Sequence, residues 1–164
     1  MPASPLCCNA PSGPRGVTRK LLLSALVAAG LAIHAAAAAA DPEADIKYRQ
    51  AVMKTSGGHM GALAAIVKGQ VPHKQDIAPH VAGLAAVAAM APHLFPAGSD
   101  KGKTKAKSEI WTDAAEFDKK VKDFQTATTA LQAAATGGDA AALGAALGGV
   151  GKACKSCHDK FQKE

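Results

Sequence analysis

The sequence predicts an all-α protein, an antiparallel four-helix bundle. Apolar residues recur at spacings of three and four in four separate segments, which is typical of amphipathic helices. No segment alternates apolar and polar residues with a period of two, so no strand is expected. The links between the segments are mostly short, and short links favour antiparallel neighbours in a bundle.

The start of the chain is predicted to be a cleaved secretory signal peptide. Three basic residues, the last of them Lys20, precede a short apolar run, and Ala38 and Ala40 offer a small-residue cleavage site. The run is too short for a membrane span, which needs about 20 residues, and a retained N-terminal anchor is the alternative. We therefore expect residues 1–40 to be removed, and residues 41–164 to form one periplasmic domain without membrane attachment.

The predicted domain carries a mild positive charge and few cysteines. The signal holds three of the 19 Lys and Arg residues and none of the 13 Asp and Glu residues, so the domain has a net charge of +3. This small excess argues against a nucleic-acid partner, which requires a dense basic face. The basic run at 101–107 is expected to be a solvated loop, with docking of an acidic redox partner as the alternative. Only Cys154 and Cys157 remain after cleavage, so no disulfide framework is expected.

The first helix is expected to begin at Asp41 and to run to about Val67. Asp41 is a suitable N-cap, and Pro42 is tolerated in the first turn. Gly57 and Gly58 lower the helix propensity and often mark the close approach of another group. One side of the helix carries a stripe formed by Ile46, Arg49, Met53, Ser56, Met60, Leu63 and Val67.

The second helix is expected to begin near Asp76, after a break at 69–72. Pro79 fits only in its first turn. Its apolar stripe consists of Ile77, Val81, Leu84, Val87 and Met90. Residues 91–107 are rich in Pro, Gly and Lys, and are predicted to form a long loop.

The third and fourth helices follow without a long interruption. The third is expected to open at Thr112 or Asp113, where Asp113 and Glu116 match a capping box, and to end at the Gly137–Gly138 pair. Its stripe consists of Phe117, Val121, Phe124, Thr128 and Leu131. Asp139 is a suitable cap for the fourth helix. The stripe of that helix consists of Leu143, Leu147, Val150, Cys154, Cys157 and Phe161.

The stretch CKSCH at 154–158 matches the C-x-x-C-H signature of covalent haem c attachment. Each thiol adds across one haem vinyl group, and cysteines three residues apart on a helix reach the two vinyl groups. His158 follows directly and is then held beneath the iron as the proximal ligand. Aromatic residues make up only 4% of the chain, and a core of alanine is thin, so a large flat cofactor would fill it, with close-packed alanine helices as the alternative. We expect one haem c per chain.

Two other uses of the cysteines are less consistent with the sequence. A thioredoxin-like dithiol follows a strand, and no strand is predicted. A zinc site requires about four ligands, and no second Cys or His pair has suitable spacing.

A second axial ligand must come from an earlier helix, because C-x-x-C-H lies near the end of the chain. Met53 is the first candidate, since it follows Arg49 by one turn on the stripe of the first helix, and Arg49 can pair with a haem propionate. Met60 is two turns further along, although a methionine on such a stripe is more often core filler. The remaining candidates are His59, His73, His80 and His93.

Several segments in order resemble the class II cytochromes c, the family of cytochrome c prime and its low-spin, methionine-ligated relatives. They are IKYRQAVM, VKGQVP, LFPAGS, SEIWTDAAEF and VGKACKSCHDKF, at 46–53, 67–72, 94–99, 108–117 and 150–161. The likeness covers residues 43–163. It implies a left-twisted antiparallel four-helix bundle, often a homodimer, with covalently bound haem near one end.

The resemblance also implies roles for individual residues. Cys154 and Cys157 match the positions that hold the haem, and His158 matches the proximal ligand. Arg49 and Gln50 match residues near the propionates.

Met53 matches the distal position, which decides function within this family. A methionine that binds the iron there gives a six-coordinate electron carrier, whereas a residue that only covers the iron gives a five-coordinate protein that binds nitric oxide or carbon monoxide. Many members carry arginine four residues after the proximal histidine, and this chain has Gln162 there. The expectation is a protein that is not an enzyme and passes single electrons to unidentified redox partner proteins, with Met53 and His158 on the iron. The alternative is the five-coordinate gas-binding protein.

Overall fold

The computed structural model describes residues 41–164, and these form the predicted all-α four-helix bundle. The helices are α1 (Pro42–Val67), α2 (Ile77–Met90), the short α3 (Glu109–Thr112), α4 (Ala114–Gly137) and α5 (Ala140–Phe161). Turns of 3-10 helix precede and follow α2, at Lys74–Asp76 and Ala91–His93. The predicted signal peptide lies outside the described residues, so its cleavage stays a prediction.

The four long helices form a closed ring in which each contacts two others. α1 packs against α2 and α5, and α4 packs against the same two helices. The start of α1 lies beside the loop that follows α2, where Arg49 binds Ser99, and the end of α5 lies beside the start of α4, where Phe161 contacts Phe117. Neighbouring helices are therefore antiparallel. None of the helices within 41–164 is long and apolar enough to cross a membrane.

The predicted apolar stripes form the core of the bundle. One cluster of buried aliphatic residues joins the four long helices, and Cys154 packs against it: Leu63, Val81, Leu84, Leu131, Leu143, Leu147 and Val150. Two smaller clusters contain buried or partly buried phenylalanines, and Cys157 packs against one of them.

Two of the three predicted N-caps are confirmed, and one is wrong. The side chains of Asp41 and Asp139 each accept a backbone N–H two residues later, at 2.9 Å. Asp113 makes no side-chain cap, and its backbone (φ −120°, ψ 54°) lies outside the extended region that an N-cap residue usually adopts. Its carboxylate accepts a hydrogen bond from Lys160 Nζ of α5 at 2.6 Å.

The basic run at 101–107 differs from a simple solvated loop. Its backbone pairs with the C-terminal residues: Lys107 N donates to Phe161 O at 2.9 Å, and Lys163 N donates to Lys105 O at 2.8 Å. Ala106 and Gln162 form an antiparallel bridge between these bonds. The loop is thus fixed beside the end of α5.

Candidate functional site

A cavity of about 620 Å³ opens among the helices at the end of the bundle that carries C-x-x-C-H. This volume lies within the range of roughly 300–1,000 Å³ that is usual for cofactor sites. The residues of C-x-x-C-H that line it are Cys154, Cys157 and His158, and α1 contributes Met53 among others. The structure therefore brings together the residues that the sequence singled out on the first and last long helices.

Aromatic side chains form much of the cavity wall. The chain has four phenylalanines, and all four line this cavity. Phe95 and Phe161 both meet Phe117 edge to face, with ring centres 4.9 Å and 5.5 Å apart. Apolar rings gathered around one cavity suit a large flat apolar cofactor better than a polar substrate.

The two cysteines are half-buried and unbridged, and their thiols face the cavity. Burial raises the pKa of the Cys154 thiol, and burial together with the neighbouring Cys154 raises the pKa of Cys157. A redox dithiol needs a lowered thiol pKa, so this environment argues against the thioredoxin-like alternative. Within 41–164, no group of three or more His, Cys, Asp or Glu side chains lies close enough together to hold a metal ion.

Among the candidates for a second axial ligand, only the two methionines line the cavity. Met53 and Met60 both do so from α1. None of the four candidate histidines is among the lining residues, and His59 instead pairs with His80 at the junction of α1 and α2. This arrangement favours the two methionines over the four histidines as candidates for the second axial ligand.

Arg49 is buried and holds the loop that follows α2. Only 3% of its surface is exposed. Its terminal nitrogens donate to Leu94 O at 3.2 Å, Ser99 Oγ at 2.7 Å, Ser99 O at 2.9 Å and Thr104 Oγ1 at 2.9 Å. Burial lowers the pKa of this guanidinium, although nearby Asp45 partly offsets the effect.

These bonds bear on the predicted propionate roles of Arg49 and Gln50. The four terminal N–H groups of Arg49 have protein acceptors, so a bond to a propionate would need Nε or a change of partner. Gln50 Nε2 likewise donates to Lys103 O at 2.9 Å. Both residues line the cavity, and both also fix the basic loop beside it.

Sequence reasoning missed the charge of the cavity lining. The lining contains Arg49 and three lysines from different parts of the fold, Lys54, Lys105 and Lys120. No Asp or Glu side chain is among the lining residues. A lining of one sign fits a cofactor that carries carboxylates. Of the three lysines, only Lys105 lies in a segment that the sequence marked as basic. Lys54 and Lys120 come near the cavity only because the helices pack together.

Comparison with known proteins agrees with this arrangement. The family model described as Cytochrome C' matches residues 44–162 of the chain. The chain belongs to the cytochrome c' family. Haem c, covalently attached, is the cofactor of this family, and the cavity with its two free thiols fits that cofactor.

Curated relatives are similar over nearly their whole length. Cytochrome c' of Pararhodospirillum photometricum is 43% identical over 125 residues, which cover 76% of this chain and 100% of that protein. Cytochrome c' of Alcaligenes xylosoxydans xylosoxydans is 40% identical, over 76% of this chain and 98% of that protein.

Solved structures agree in fold. The crystal structure of cytochrome c' from Rubrivivax gelatinosus superposes with a TM-score of 0.70 at 37% identity, over 74% of this chain and 97% of that one. A nitric oxide complex and a carbon monoxide complex of variants of cytochrome c prime from Alcaligenes xylosoxidans each superpose with a TM-score of 0.71 at 40% identity. Each alignment covers 76% of this chain and 98% of the other.

Proposed function

We propose that this member of the cytochrome c' family binds nitric oxide or carbon monoxide at a five-coordinate haem. Cys154 and Cys157 hold the haem, and His158 is the proximal ligand. The observation that carries the proposal is the cavity that joins these three residues to Met53. The similarity to solved nitric oxide and carbon monoxide complexes favours gas binding over the six-coordinate electron carrier.

The residues around the cavity have distinct tasks in this proposal. Haem supplies an iron that binds a diatomic gas or exchanges one electron. The four phenylalanines keep water from the apolar part of the site. Lys54 and Lys105 are exposed and offset the charge of the propionates, while Arg49 and Gln50 hold the loop that forms that side of the cavity.

Met53 acts as a cover over the distal face rather than as a permanent ligand. Its half-buried side chain packs against the cluster of Val52, Val87 and Leu94 and borders the cavity. With haem bound in the cavity, Met53 would limit access to the distal side by packing, and an entering gas molecule would have to push this apolar side chain aside.

Gln162 distinguishes this chain from many family members. It lines the cavity, and its backbone is bridged to Ala106. A neutral side chain at this place leaves the exposed side of His158 without the fixed positive charge that arginine would supply. Gas binding in this chain therefore proceeds without that charge.

Carbon monoxide titration of the reduced holoprotein tests the proposal, with Met53→Ala and the matched control Met60→Ala. The wild-type protein should bind carbon monoxide. Met53→Ala should bind carbon monoxide roughly tenfold more tightly. In the wild type, the gas can bind only in the small fraction of molecules in which Met53 has moved aside, and alanine removes this restriction. Met60→Ala should resemble the wild type. If the wild type fails to bind and only Met53→Ala binds, Met53 is an iron ligand, and the chain is a His/Met electron carrier.

Export and assembly complete the proposal. The protein acts in the periplasm after removal of residues 1–40, exchanges electrons with redox partner proteins, and forms a homodimer. It performs no enzymatic turnover.

A further inference from the structure

Two histidines meet at the junction of α1 and α2, away from the haem cavity. His59 of α1 and His80 near the start of α2 are both half-buried, and their Nδ1 atoms are 3.0 Å apart. The ring centres are 5.3 Å apart, so both nitrogens point along the line that joins the rings. One ring donates an N–H to the lone pair of the other.

The fold holds His59 in this position through a glycine. The imidazole of His59 lies against α2 at Gly83, where a Cβ atom would overlap the ring. His80 precedes Gly83 by three residues, so it lies on the same face of α2. The two rings are therefore brought together by backbone packing as well as by their mutual hydrogen bond.

We propose that His59 and His80 form a binding site for one divalent transition-metal ion of the Cu²⁺ or Ni²⁺ type. Imidazole nitrogens bind such ions at about 2.0–2.1 Å. Two ligands at right angles are then about 2.9 Å apart, close to the observed 3.0 Å, whereas tetrahedral ligands are about 3.4 Å apart. Adjacent positions of a square-planar or octahedral ion fit this spacing, and Cu²⁺ and Ni²⁺ favour those geometries.

Metal binding replaces the hydrogen bond between the rings. The rings tilt until both Nδ1 lone pairs meet at the ion, and the proton of the donating Nδ1 moves through solvent to Nε2 of the same ring. Within 41–164, no third His, Cys, Asp or Glu side chain joins the pair. Water fills the remaining positions, which the partial exposure of both rings allows. Neither histidine lines the haem cavity, so the site operates independently of the haem.

The test is a titration of oxidised holoprotein with Cu²⁺ or Ni²⁺, followed by calorimetry and, for Cu²⁺, by electron paramagnetic resonance. The wild type should bind one ion with two nitrogen ligands. His59→Gln and His80→Gln should each weaken binding about tenfold or more, because the second ligand no longer adds an intramolecular contact. Gly83→Ala keeps both ligands but displaces the His59 ring, so it should also weaken binding.

His73→Gln and His93→Gln are matched controls, because both histidines are exposed and should leave binding unchanged. Each single variant is measured separately, so the test stands if one of them does not fold. The proposal is overturned if His59→Gln and His80→Gln both bind the ion as tightly as the wild type does. In that case the pair serves only as a hydrogen bond between the helices.

Discussion

Replacing Arg49 with methionine should destabilise the bundle strongly. Methionine keeps the apolar stem but removes a guanidinium that makes four hydrogen bonds to Leu94, Ser99 and Thr104. The carbonyl groups of Leu94 and Ser99 lose these donors, and each unsatisfied buried group costs about 1–3 kcal/mol. Relief of the buried charge offsets part of the loss, so the expected decrease in the free energy of unfolding is about 3–5 kcal/mol.

Urea unfolding of the holoprotein, followed by helical circular dichroism, measures this decrease. Lys47→Met is the matched control, because it removes a positive charge from the same helix. Lys47 is paired with Glu43 at 2.8 Å, but the two side chains are 72% and 74% exposed, so little change is expected. If the free energy of unfolding of Arg49→Met lies within about 1 kcal/mol of the wild-type value, the buried hydrogen bonds of Arg49 give almost no net stability, and the expected decrease is wrong.

Three further predictions concern the core, the attachment and an ion pair. Leu84→Ala should lower the free energy of unfolding by about 2–5 kcal/mol in urea, because Leu84 is fully buried; a smaller loss would mean that the site collapses around the change. Cys154→Ala and Cys157→Ala should each reduce the yield of protein that retains haem on a denaturing gel, and normal yield from both would contradict covalent attachment. Lys160 lowers the pKa of Asp113, so this pair should stabilise the fold at neutral pH and lose that effect as pH falls below 3.8, the ordinary Asp value. The difference in unfolding midpoint between the wild type and Asp113→Asn should shrink in acid, and an equal difference at neutral and acidic pH would contradict this.

The helices were predictable from sequence because their determinants are local. The spacing of Leu63, Leu84 and Leu131 along their own helices already marks the side that faces the core, and each is fully buried. Asp113 shows the limit of local reasoning. Asp113 and Glu116 match the sequence pattern of a capping box, but no side-chain cap forms, and the carboxylate of Asp113 accepts a hydrogen bond from a lysine 47 residues away in sequence.

The candidate site was predictable only in part, for the same reason. C-x-x-C-H and the stripe of α1 indicated Cys154, Cys157, His158 and Met53, and the structure brings these together around one cavity. The partners of Arg49 lie 45 to 55 residues away in sequence, so no local pattern could reveal that its donors hold a loop. The cationic lining and the histidine pair likewise depend on how separate helices pack.

In the proposed function, the haem of this protein is five-coordinate and open to gas ligands. Optical and electron paramagnetic resonance spectra of the wild-type holoprotein, oxidised and reduced, with and without carbon monoxide, are the decisive experiment. We expect a high-spin ferric signal and a reduced spectrum that shifts sharply with carbon monoxide. A low-spin ferric signal with a methionine–iron charge-transfer band, and a reduced spectrum that carbon monoxide leaves unmoved, would contradict it.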